Sequence, residues 1–442
     1  MISMVLMACS RSLCIVSKSA LVLLLLVAAA FFSPAALATT QDVWIAVRTD
    51  GQPGTGTQDD PYDGSTPEKF DALMQGFAAT QNLGIHLTGT GPFQTYATHS
   101  WFVRRGWVIS GDGMDTTTVQ MVGNVAGIHY GLICFSSDLG VATNNVIISD
   151  MTIDCNWAEL SLTADDGAGG EKNIKTAAIA LAGSNNLLDH VRTINSYGSW
   201  ANALESFVVL LGGPCSGDGT NNVIQFCRAE QPQGNYGNPF TLAGWRTPTA
   251  NHLLTNSRVV SCTAIGVNSG LPSGFNPGGV NVCNLKNCQI DGNTFIDCTG
   301  AAYTDTGTIE GLSITNNTVV RGSLGVGLMS TVTPKGKIEI SGNSFSIQNR
   351  APPGLLGAAI YVGQAAVTNI TISNNTITFD TSGLGTLGFW GIHVAPVNSA
   401  LVYSNVIGPI DPTAYPVMNA VTGTGVILSN NRQPNGASVP GL

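Results

Sequence analysis

The chain has 442 residues and a formal net charge of −9, and only 10% of its residues are charged. An acidic chain without a basic tract is a poor candidate for nucleic-acid binding, so that class of partner is not expected. With 53 Gly and 43% hydrophobic residues, the composition favours many short strands joined by tight turns over solvated helices.

Residues 1–38 predict a signal peptide. Arg11 and Lys18 precede an uninterrupted apolar run at 20–32, and Ala-Leu-Ala at 36–38 supplies small residues for cleavage. The run is shorter than the ~20 apolar residues that a membrane-spanning helix needs. A retained N-terminal anchor is the alternative. We therefore expect a secreted, periplasmic or cell-surface protein with no membrane span after signal removal.

Residues 39–99 predict an N-terminal cap segment with one amphipathic helix near 66–79. Ser65-Thr66 supplies a hydroxyl cap, Pro67 follows in the first turn, and Glu68 is placed for a capping box. Apolar residues then recur with the spacing of one helical face. They are Phe70, Leu73, Met74, Phe77 and Ala78. Such a helix would cover strand edges at the start of the repeats that follow.

Residues 100–432 contain a repeated sequence motif and are predicted to form the repeat domain. Residues 433–442 are predicted to be a C-terminal tail. Two apolar residues precede a three-residue polar turn, which is followed by Thr or Ser and another apolar residue. One copy is Ile-Thr-Ile-Ser-Asn-Asn-Thr-Ile, ending at Ile377. The second turn Asn recurs at Asn293, Asn317, Asn343, Asn375, Asn405 and Asn430. Weaker copies precede residue 260.

This repeat predicts a β-helix. Its period falls within the about 20–50 residues of solenoids and propellers, and alternation around a tight Asn turn indicates strand, turn and strand. Propellers would need about four strands in each unit of ~40–50 residues, which is longer than most of the intervals here. We expect Asn317, Asn343 and Asn375 to stack at one corner. The side chains of Ile314, Ile340 and Ile372 are expected to point inward.

The sequence resembles the pectate-lyase-like superfamily of right-handed parallel β-helix proteins, of the exported bacterial type. The similar segments are Gly-Thr-Gly-Thr at 54–57, Pro-Tyr-Asp-Gly-Ser-Thr at 61–66, Trp-Val-Ile-Ser-Gly-Asp-Gly-Met-Asp at 107–115, and the Asn-Asn-Thr-Ile phrases. The resemblance covers nearly all of 41–432. It implies an all-β fold, a single-stranded right-handed parallel β-helix solenoid with a short N-terminal helical cap. That fold serves lyases, hydrolases, epimerases, tailspikes and adhesins, so it does not fix an activity.

Three arginines align in the upstream repeats. Arg192, Arg228 and Arg258 take the position that downstream repeats give to residues such as Thr294 and Thr318. Coils about 4.8 Å apart would stack them into a basic strip. One interpretation pairs the strip with nearby acidic residues, namely Asp150, Asp154, Asp189 and Glu230. The other has it clamp uronate carboxylates in the bidentate geometry that Arg favours.

The clamp interpretation predicts a polysaccharide lyase. Neutralising a uronate carboxylate acidifies the adjacent C–H, and a basic side chain then removes that proton. Arg228 is the candidate base, with Arg192 and Arg258 beside it as further catalytic residues. The expected partner is therefore an acidic polysaccharide.

Further residues of the same coils are candidates for substrate binding. Asp189 and His190 look like the Asp-His turn of pectate lyases, although Asp is also an ordinary turn residue. Glu230 follows Arg228 in the same repeat. Three loop aromatics could stack on sugar rings or cover an apolar edge. They are Trp200, Tyr236 and Trp245.

Two other functions stay open. A glycoside hydrolase would need two carboxylates about 5 or 6.5–9.5 Å apart, for which Asp154 with Glu230 or Asp297 with Asp305 are candidates. A non-catalytic adhesin or structural module is the other alternative, because the better hydrolase motifs, such as Gly-His-Gly, are missing. No metal-ligand motif occurs in the sequence. Calcium stays open as a cofactor.

The last prediction concerns Cys262 and Cys298. Aligned on Ser257 and Asn293, these cysteines fall on adjacent coils, at a spacing that a disulfide accepts. Two buried free thiols are the alternative, because a register error of one residue would turn one side chain to the opposite face.

Overall fold

The computed structural model describes 18 segments between residues 41 and 437. They are 41–96, 101–123, 132–134, 143–156, 178–195, 206–212, 217–230, 238–244, 252–266, 279–304, 307–328, 332–348, 357–363, 369–380, 389–394, 400–408, 419–422 and 426–437. The predicted signal peptide lies outside these segments and stays a prediction. No helix among the described residues is long and apolar enough to cross a bilayer.

The described residues are almost entirely strand. One helix, α1, spans Pro67–Gly76. The strands, in chain order, are β1 Gln41–Ala46, β2 Tyr62–Asp63, β3 Leu83–Thr88, β4 Phe93–Thr95, β5 Trp101–Phe102, β6 Val108–Ser110, β7 Thr118–Met121, β8 Ile133–Cys134, β9 Ile147–Asp154, β10 Ile179–Ala182, β11 Leu187–Ile194, β12 Ser206–Gly212, β13 Gly219–Thr220, β14 Val223–Gln225, β15 Arg228–Glu230, β16 Asn238–Gly244, β17 Leu254–Thr255, β18 Arg258–Val260, β19 Thr263–Ile265, β20 Val280–Cys283, β21 Leu285–Lys286, β22 Cys288–Asp291, β23 Thr294–Ile296, β24 Ala302–Thr304, β25 Gly307–Ile309, β26 Leu312–Thr315, β27 Thr318–Gly322, β28 Val326–Leu328, β29 Val332–Pro334, β30 Ile338–Ser341, β31 Ser344–Gln348, β32 Gly357–Val362, β33 Ile370–Ser373, β34 Thr376–Asp380, β35 Phe389–Val394, β36 Ala400–Tyr403, β37 Val406–Ile407, β38 Asn419–Thr422 and β39 Val426–Ser429. This content confirms the all-β prediction.

The helix forms where the capping pattern predicted it, although it is shorter than 66–79. The hydroxyl of Thr66 accepts a hydrogen bond from the backbone N–H of Lys69 at 3.4 Å, which satisfies one free donor of the first turn. Phe70 and Met74 are buried. The Phe70 ring packs 5.1 Å from the Trp101 ring, edge to face, so the helix joins the core through its apolar face.

All described strands pair in parallel, in sheets of 23, 11 and 5 strands. A full coil contributes two consecutive strands to the large sheet and one to the 11-stranded sheet, as β14, β15 and β16 do. Parallel pairing begins with β1 and β3, upstream of residue 100, where the sequence pattern started the coils. The stacked coils form the parallel β-helix that the repeat predicted.

A two-residue corner joins the paired strands of each coil in the large sheet. Its first residue has a positive φ, as at Asn316, Asn374 and Ser404, and its second residue points inward. This geometry suits Asn, Asp and Gly. It explains the Asn-Asn and Gly-Asn pairs of the repeat.

The inward residues of the downstream corners form an asparagine ladder. Its rungs are Asn293, Asn317, Asn343, Asn375, Asn405 and Asn431. Each Oδ1 accepts from the backbone N and Nδ2 of the rung before it, at 2.9 Å and 3.0 Å between Asn317 and Asn343. Ile314, Ile340 and Ile372 are fully buried. The predicted stacking is therefore confirmed, with one correction, because the last rung is Asn431 and not Asn430.

The upstream coils place their polar residue at a different corner, just before the first of the two paired strands. We call this the entry corner, and Asn186, Asn222 and Ser257 occupy it. The Oδ1 of Asn222 accepts from Asn186 Nδ2 at 2.9 Å, and Ser257 Oγ accepts from the backbone N of Asn222 at 3.1 Å. The two-residue corners of these coils hold the apolar or thiol side chains of Met151, Val191, Cys227 and Cys262.

The change of corner corrects two sequence alignments. Arg258 pairs in register with Val223 and Gln289, not with Arg228, so it does not belong to a strip of three arginines. Cys262 lies opposite Asn293 on the neighbouring coil, and its backbone N–H donates to Asn293 Oδ1 at 2.8 Å. Cys262 and Cys298 are free, buried thiols. The disulfide is therefore absent, and the free-thiol alternative holds.

Candidate functional site

Arg192 and Arg228 lie side by side on neighbouring coils. Strands β11 and β15 pair Arg192 with Arg228, Thr193 with Ala229 and Ile194 with Glu230. Thr193 and Ala229 are buried. Because side chains alternate across a strand, both arginines face outward, about one coil spacing of 4.8 Å apart.

Glu230 binds both guanidinium groups. Its Oε2 accepts from Arg192 Nη2 at 2.9 Å, and its Oε1 contacts Arg228 Nε. The Glu230 side chain is 14% exposed, whereas that of Arg228 is 49% exposed. One partly buried carboxylate thus holds two cations, and about half of the Arg228 side chain remains exposed to solvent.

Asp115 is a second, weaker partner of Arg192. Its Oδ1 lies 3.7 Å from Arg192 Nη1, and its side chain is 95% exposed. An exposed pair at this distance is worth at most about 1 kcal/mol. We name the group of Arg192, Arg228 and Glu230 the arginine pair site.

Asp154 is bound by neutral groups. Its Oδ1 accepts from Asn195 Nδ2 and from the backbone N of Asn156, both at 2.9 Å, and its Oδ2 accepts from Gln120 Nε2 at 3.0 Å. Both oxygens are engaged and the residue is buried. Asp154 therefore serves as a structural acceptor and not as the partner of Glu230 in a hydrolytic pair.

The second hydrolytic pair is not supported by the contacts of Asp297. Its two carboxylate oxygens accept hydrogen bonds from Arg321, from Nε at 2.8 Å and from Nη2 at 2.6 Å. This bidentate pair leaves Asp297 committed to Arg321. Asp305 lies outside the described residues.

An aromatic pair adjoins the arginine pair site. His190 and Phe226 occupy the outward positions of two successive two-residue corners, each two residues before an arginine. Their rings stack with centroids 5.1 Å apart at 28°. Asp189 Oδ1 lies 2.8 Å from His190 Nδ1, and the His190 side chain is 50% exposed. Asp189, His190 and Arg192 lie on one strand, and Arg228 and Glu230 lie on its neighbour, and their role as a site stays a prediction.

Phe226 was not singled out by the sequence. It is 48% exposed and has a φ of 51°, a conformation that bulky side chains rarely adopt. The described corners elsewhere place Asp, Ser, Asn or Gly at this position, as at Ser261 and Gly292. A Phe immediately before Cys227, where the aligned repeats require a turn residue, was the signal that could have found it.

The remaining predicted residues are not part of this site. Arg258 lies in the other strand row of the large sheet. Trp200, Tyr236 and Trp245 lie outside the described residues. Among the residues that are described, no group of three or more His, Cys, Asp or Glu side chains could hold a metal ion.

A second aromatic pair lies on the 11-stranded sheet. Tyr361 of β32 and His393 of β35 are register partners, and their rings stack 5.1 Å apart at 14°. Burial lowers the pKa of His393, so its imidazole is neutral at neutral pH.

The fold agrees with that of known proteins, whereas the sequence has diverged. No family model matches the chain, and no curated protein is similar to it in sequence. A solved glycoside hydrolase superposes with a TM-score of 0.51 at 8% identity, over 91% of this chain and 99% of that one. This likeness is one of fold, and the fold is the parallel β-helix that the sequence predicted.

Two further structures are similar at lower scores. The surface protein and adhesin PfbA of Streptococcus pneumoniae has a TM-score of 0.48 at 14% identity, covering 88% of this chain and 96% of its own. The DFA-IIIase of Arthrobacter chlorophenolicus has a TM-score of 0.49 at 11% identity, covering 90% and 96%.

Proposed function

We propose that this chain binds a uronate-containing polysaccharide at the arginine pair site and cleaves it by β-elimination. The observation that carries the proposal is the register pairing of Arg192 with Arg228 around the single carboxylate of Glu230. Glu230 engages both guanidinium groups, the exposed Asp115 carboxylate contacts only Arg192, and half of the Arg228 side chain is open to an anionic ligand. The signal peptide predicted at 1–38 agrees with a polymer met outside the cell.

The two arginines have different roles in this proposal. Arg192 is 29% exposed and is held by Glu230, so it fixes the position of that carboxylate. Arg228 presents its guanidinium to the substrate and neutralises the uronate carboxylate, which acidifies the adjacent C–H.

The elimination step balances without a cofactor. The Glu230 carboxylate takes the proton of the carbon next to the uronate carboxylate and later releases it to solvent, and the freed electron pair forms a C=C bond. The bond from the neighbouring ring carbon to the glycosidic oxygen breaks, and that oxygen leaves with a proton from solvent. The products are a shortened polymer and a chain with an unsaturated sugar at its new end.

The test is to incubate the purified protein with homopolymeric uronates and to follow the ultraviolet absorbance of unsaturated ends. We expect Arg228→Ala to abolish the signal. Arg321→Ala is the matched control, because Arg321 is also ion-paired and its side chain is similarly exposed, at 43%. The control is expected to retain wild-type activity.

Arg228→Lys tests the bidentate requirement. Lys keeps the charge but lacks the planar fork, so we expect a weak enzyme. Full activity in both Arg228→Ala and Arg228→Lys would remove Arg228 from the mechanism. The absence of unsaturated ends from every uronate polymer would reject the lyase.

Non-catalytic binding is the second candidate, and the contacts of Glu230 favour it. A carboxylate that engages both arginines makes them suited to hold a ligand and less suited to accept a proton. Retention of the protein by an immobilised uronate polymer, without unsaturated ends in solution, would select this candidate. The same retention, abolished by Arg228→Ala and kept by Arg321→Ala, would still assign the site.

A further inference from the structure

The stacked rings of His190 and Phe226 are an unusual feature of this surface. An exposed Phe does not contribute its apolar area to the core, and a φ of 51° adds strain to a bulky side chain. Neither cost is offset by burial, because Phe226 is 48% exposed. Asn or Gly would fit the corner better, and the downstream coils have them. The position is therefore suited to a role outside the fold.

The surroundings of the rings define the ligand that they fit. Stacking at 28° turns one face of each ring against the other, so the exposed part of Phe226, 48% of the residue, is its edge and its outer face. Arg192 and Arg228 follow His190 and Phe226 by two residues on the same coils. Guanidinium groups that can bind a carboxylate therefore lie next along the chain to the aromatic rings. A pyranose ring has an apolar face of C–H groups, which are attracted to the negative face of an aromatic ring, and a uronate adds the carboxylate.

We propose that His190 and Phe226 form a stacking subsite for a pyranose ring of the bound glycan, next to the sugar whose carboxylate meets Arg228. The inference rests on the proposed function for the identity of the glycan, but the stacking itself does not depend on charge. Asp189, 2.8 Å from His190 Nδ1, is a positioning residue that fixes the plane of the imidazole. Phe226 is the residue that contacts sugar most directly.

The test compares Phe226→Asn with Phe226→Trp in affinity electrophoresis through a uronate polymer and through the same polymer after reduction of its carboxyl groups. Phe226→Asn is expected to weaken binding to the uronate polymer about tenfold, the scale of one aromatic contact. Phe226→Trp is expected to bind within about threefold of wild type, since it keeps an aromatic face. Ser261→Asn, at the equivalent corner of the next coil (φ 53°), is the matched control and should change nothing.

Thermal unfolding separates this role from a structural one. Asn suits the left-handed conformation and removes exposed apolar area, so the unfolding temperature of Phe226→Asn should not fall. Weaker binding together with unchanged or higher stability supports the subsite. Weaker binding that merely follows a loss of stability would overturn it.

The two polymers distinguish failure of the inference from failure of the proposed function. If the uronate polymer retains wild type and Phe226→Asn equally, the subsite is wrong and the acidic-glycan proposal stands. If both polymers retain wild type equally and Phe226→Asn weakens both, the subsite stands and the acidic specificity falls. Wild-type protein that neither polymer retains would reject both.

Discussion

The coils before residue 266 and those after residue 279 use their two corners in opposite ways. Upstream, Asn186, Asn222 and Ser257 place the polar side chain at the entry corner, and the two-residue corner is apolar or holds a thiol. Downstream, the two-residue corner holds the asparagine ladder, and the entry position becomes apolar at Leu312, Ile338 and Ile370. The two regions therefore have the same strands but different internal hydrogen bonding.

The outer faces of the two regions differ as well. The row that contains Arg228 passes through Thr263 and continues downstream through Thr294 and Thr318, and the downstream corner residues are those that a left-handed turn favours. Upstream, the same positions hold arginines and an aromatic pair. The regular coils thus act as a scaffold, and the coils whose side chains fit the repeat poorly are the ones with candidate chemistry.

The largest effect is expected from breaking the downstream ladder with Asn343→Leu. The Asn343 side chain makes four buried hydrogen bonds: two with Asn317, one with Ile314 and one with Asn375. An apolar replacement leaves the partners unsatisfied, at about 1–3 kcal/mol each, so we expect a loss of roughly 4 kcal/mol in urea unfolding.

Two matched variants accompany that measurement. Asn374→Gly changes the outward residue of the next corner, where a φ of 55° suits Gly, and should change stability by less than about 0.5 kcal/mol. Val191→Ala, at the two-residue corner of an upstream coil, should cost about 2 kcal/mol from lost apolar burial. If Asn343→Leu proves no worse than Val191→Ala, the two corners do not differ as described.

A smaller effect is expected at alkaline pH, at the junction between the regions. Burial raises the pKa of the Cys288 thiol to about 11, above the about 8.5 of an exposed thiol. Because the folded state holds this proton more tightly, the contribution to stability is complete below about pH 8.5 and is lost as the pH rises towards 11. Stability measured across that interval should fall less in Cys288→Val than in wild type. An identical decline in the two proteins would show that Cys288 titrates normally.

The smallest effect is expected from a graft of the downstream surface onto the upstream coils. The variant combines Arg192→Thr, Arg228→Thr and Glu230→Ile, the residue types found at Thr263, Thr294 and Ile296. Removing a whole ion-paired group is often neutral or mildly stabilising, so the free energy of unfolding should change by no more than about 1 kcal/mol, whereas binding to the uronate polymer should be lost. A large loss of stability would instead make the arginine pair site a structural cluster.

The sequence predicted the downstream coils well because their corners follow one pattern. The second Asn of each phrase is inward-facing and bonded to its neighbour, so positions such as Asn317 and Asn343 cannot slip without breaking the ladder. Upstream, Asn-Ser before Arg258 resembles the same phrase, but Ser257 belongs to the entry corner. A short polar turn does not reveal which corner it occupies. The sequence alignment placed Ser257 at the two-residue corner, and this error shifted the predicted registers of Arg258 and Cys262.

The candidate site was predicted in part for the same reason. Arg192 and Arg228 were aligned correctly because both follow a two-residue corner, and their shared partner Glu230 was among the acids named. Phe226 was missed because turn propensity assigns that corner to Asn or Gly. Only the structure shows that Phe226 takes the left-handed corner position, with a φ of 51°. Both oxygens of Asp154 accept hydrogen bonds from Asn195 and Gln120 on neighbouring coils, and local sequence patterns cannot predict such contacts.

The ladder also makes the length of the molecule adjustable. Each rung offers the same donors to the next coil and the same acceptor to the preceding coil, so any two coils of the ladder can pair in the same way. Residues 318–343 make up one such coil, from the strand after Asn317 to the rung Asn343. Excising them would bring Asn317 against Asn375 in the register that Asn343 now has. The downstream part of this chain can thus lengthen or shorten by whole coils in evolution or in design, while the upstream coils keep their side chains in place.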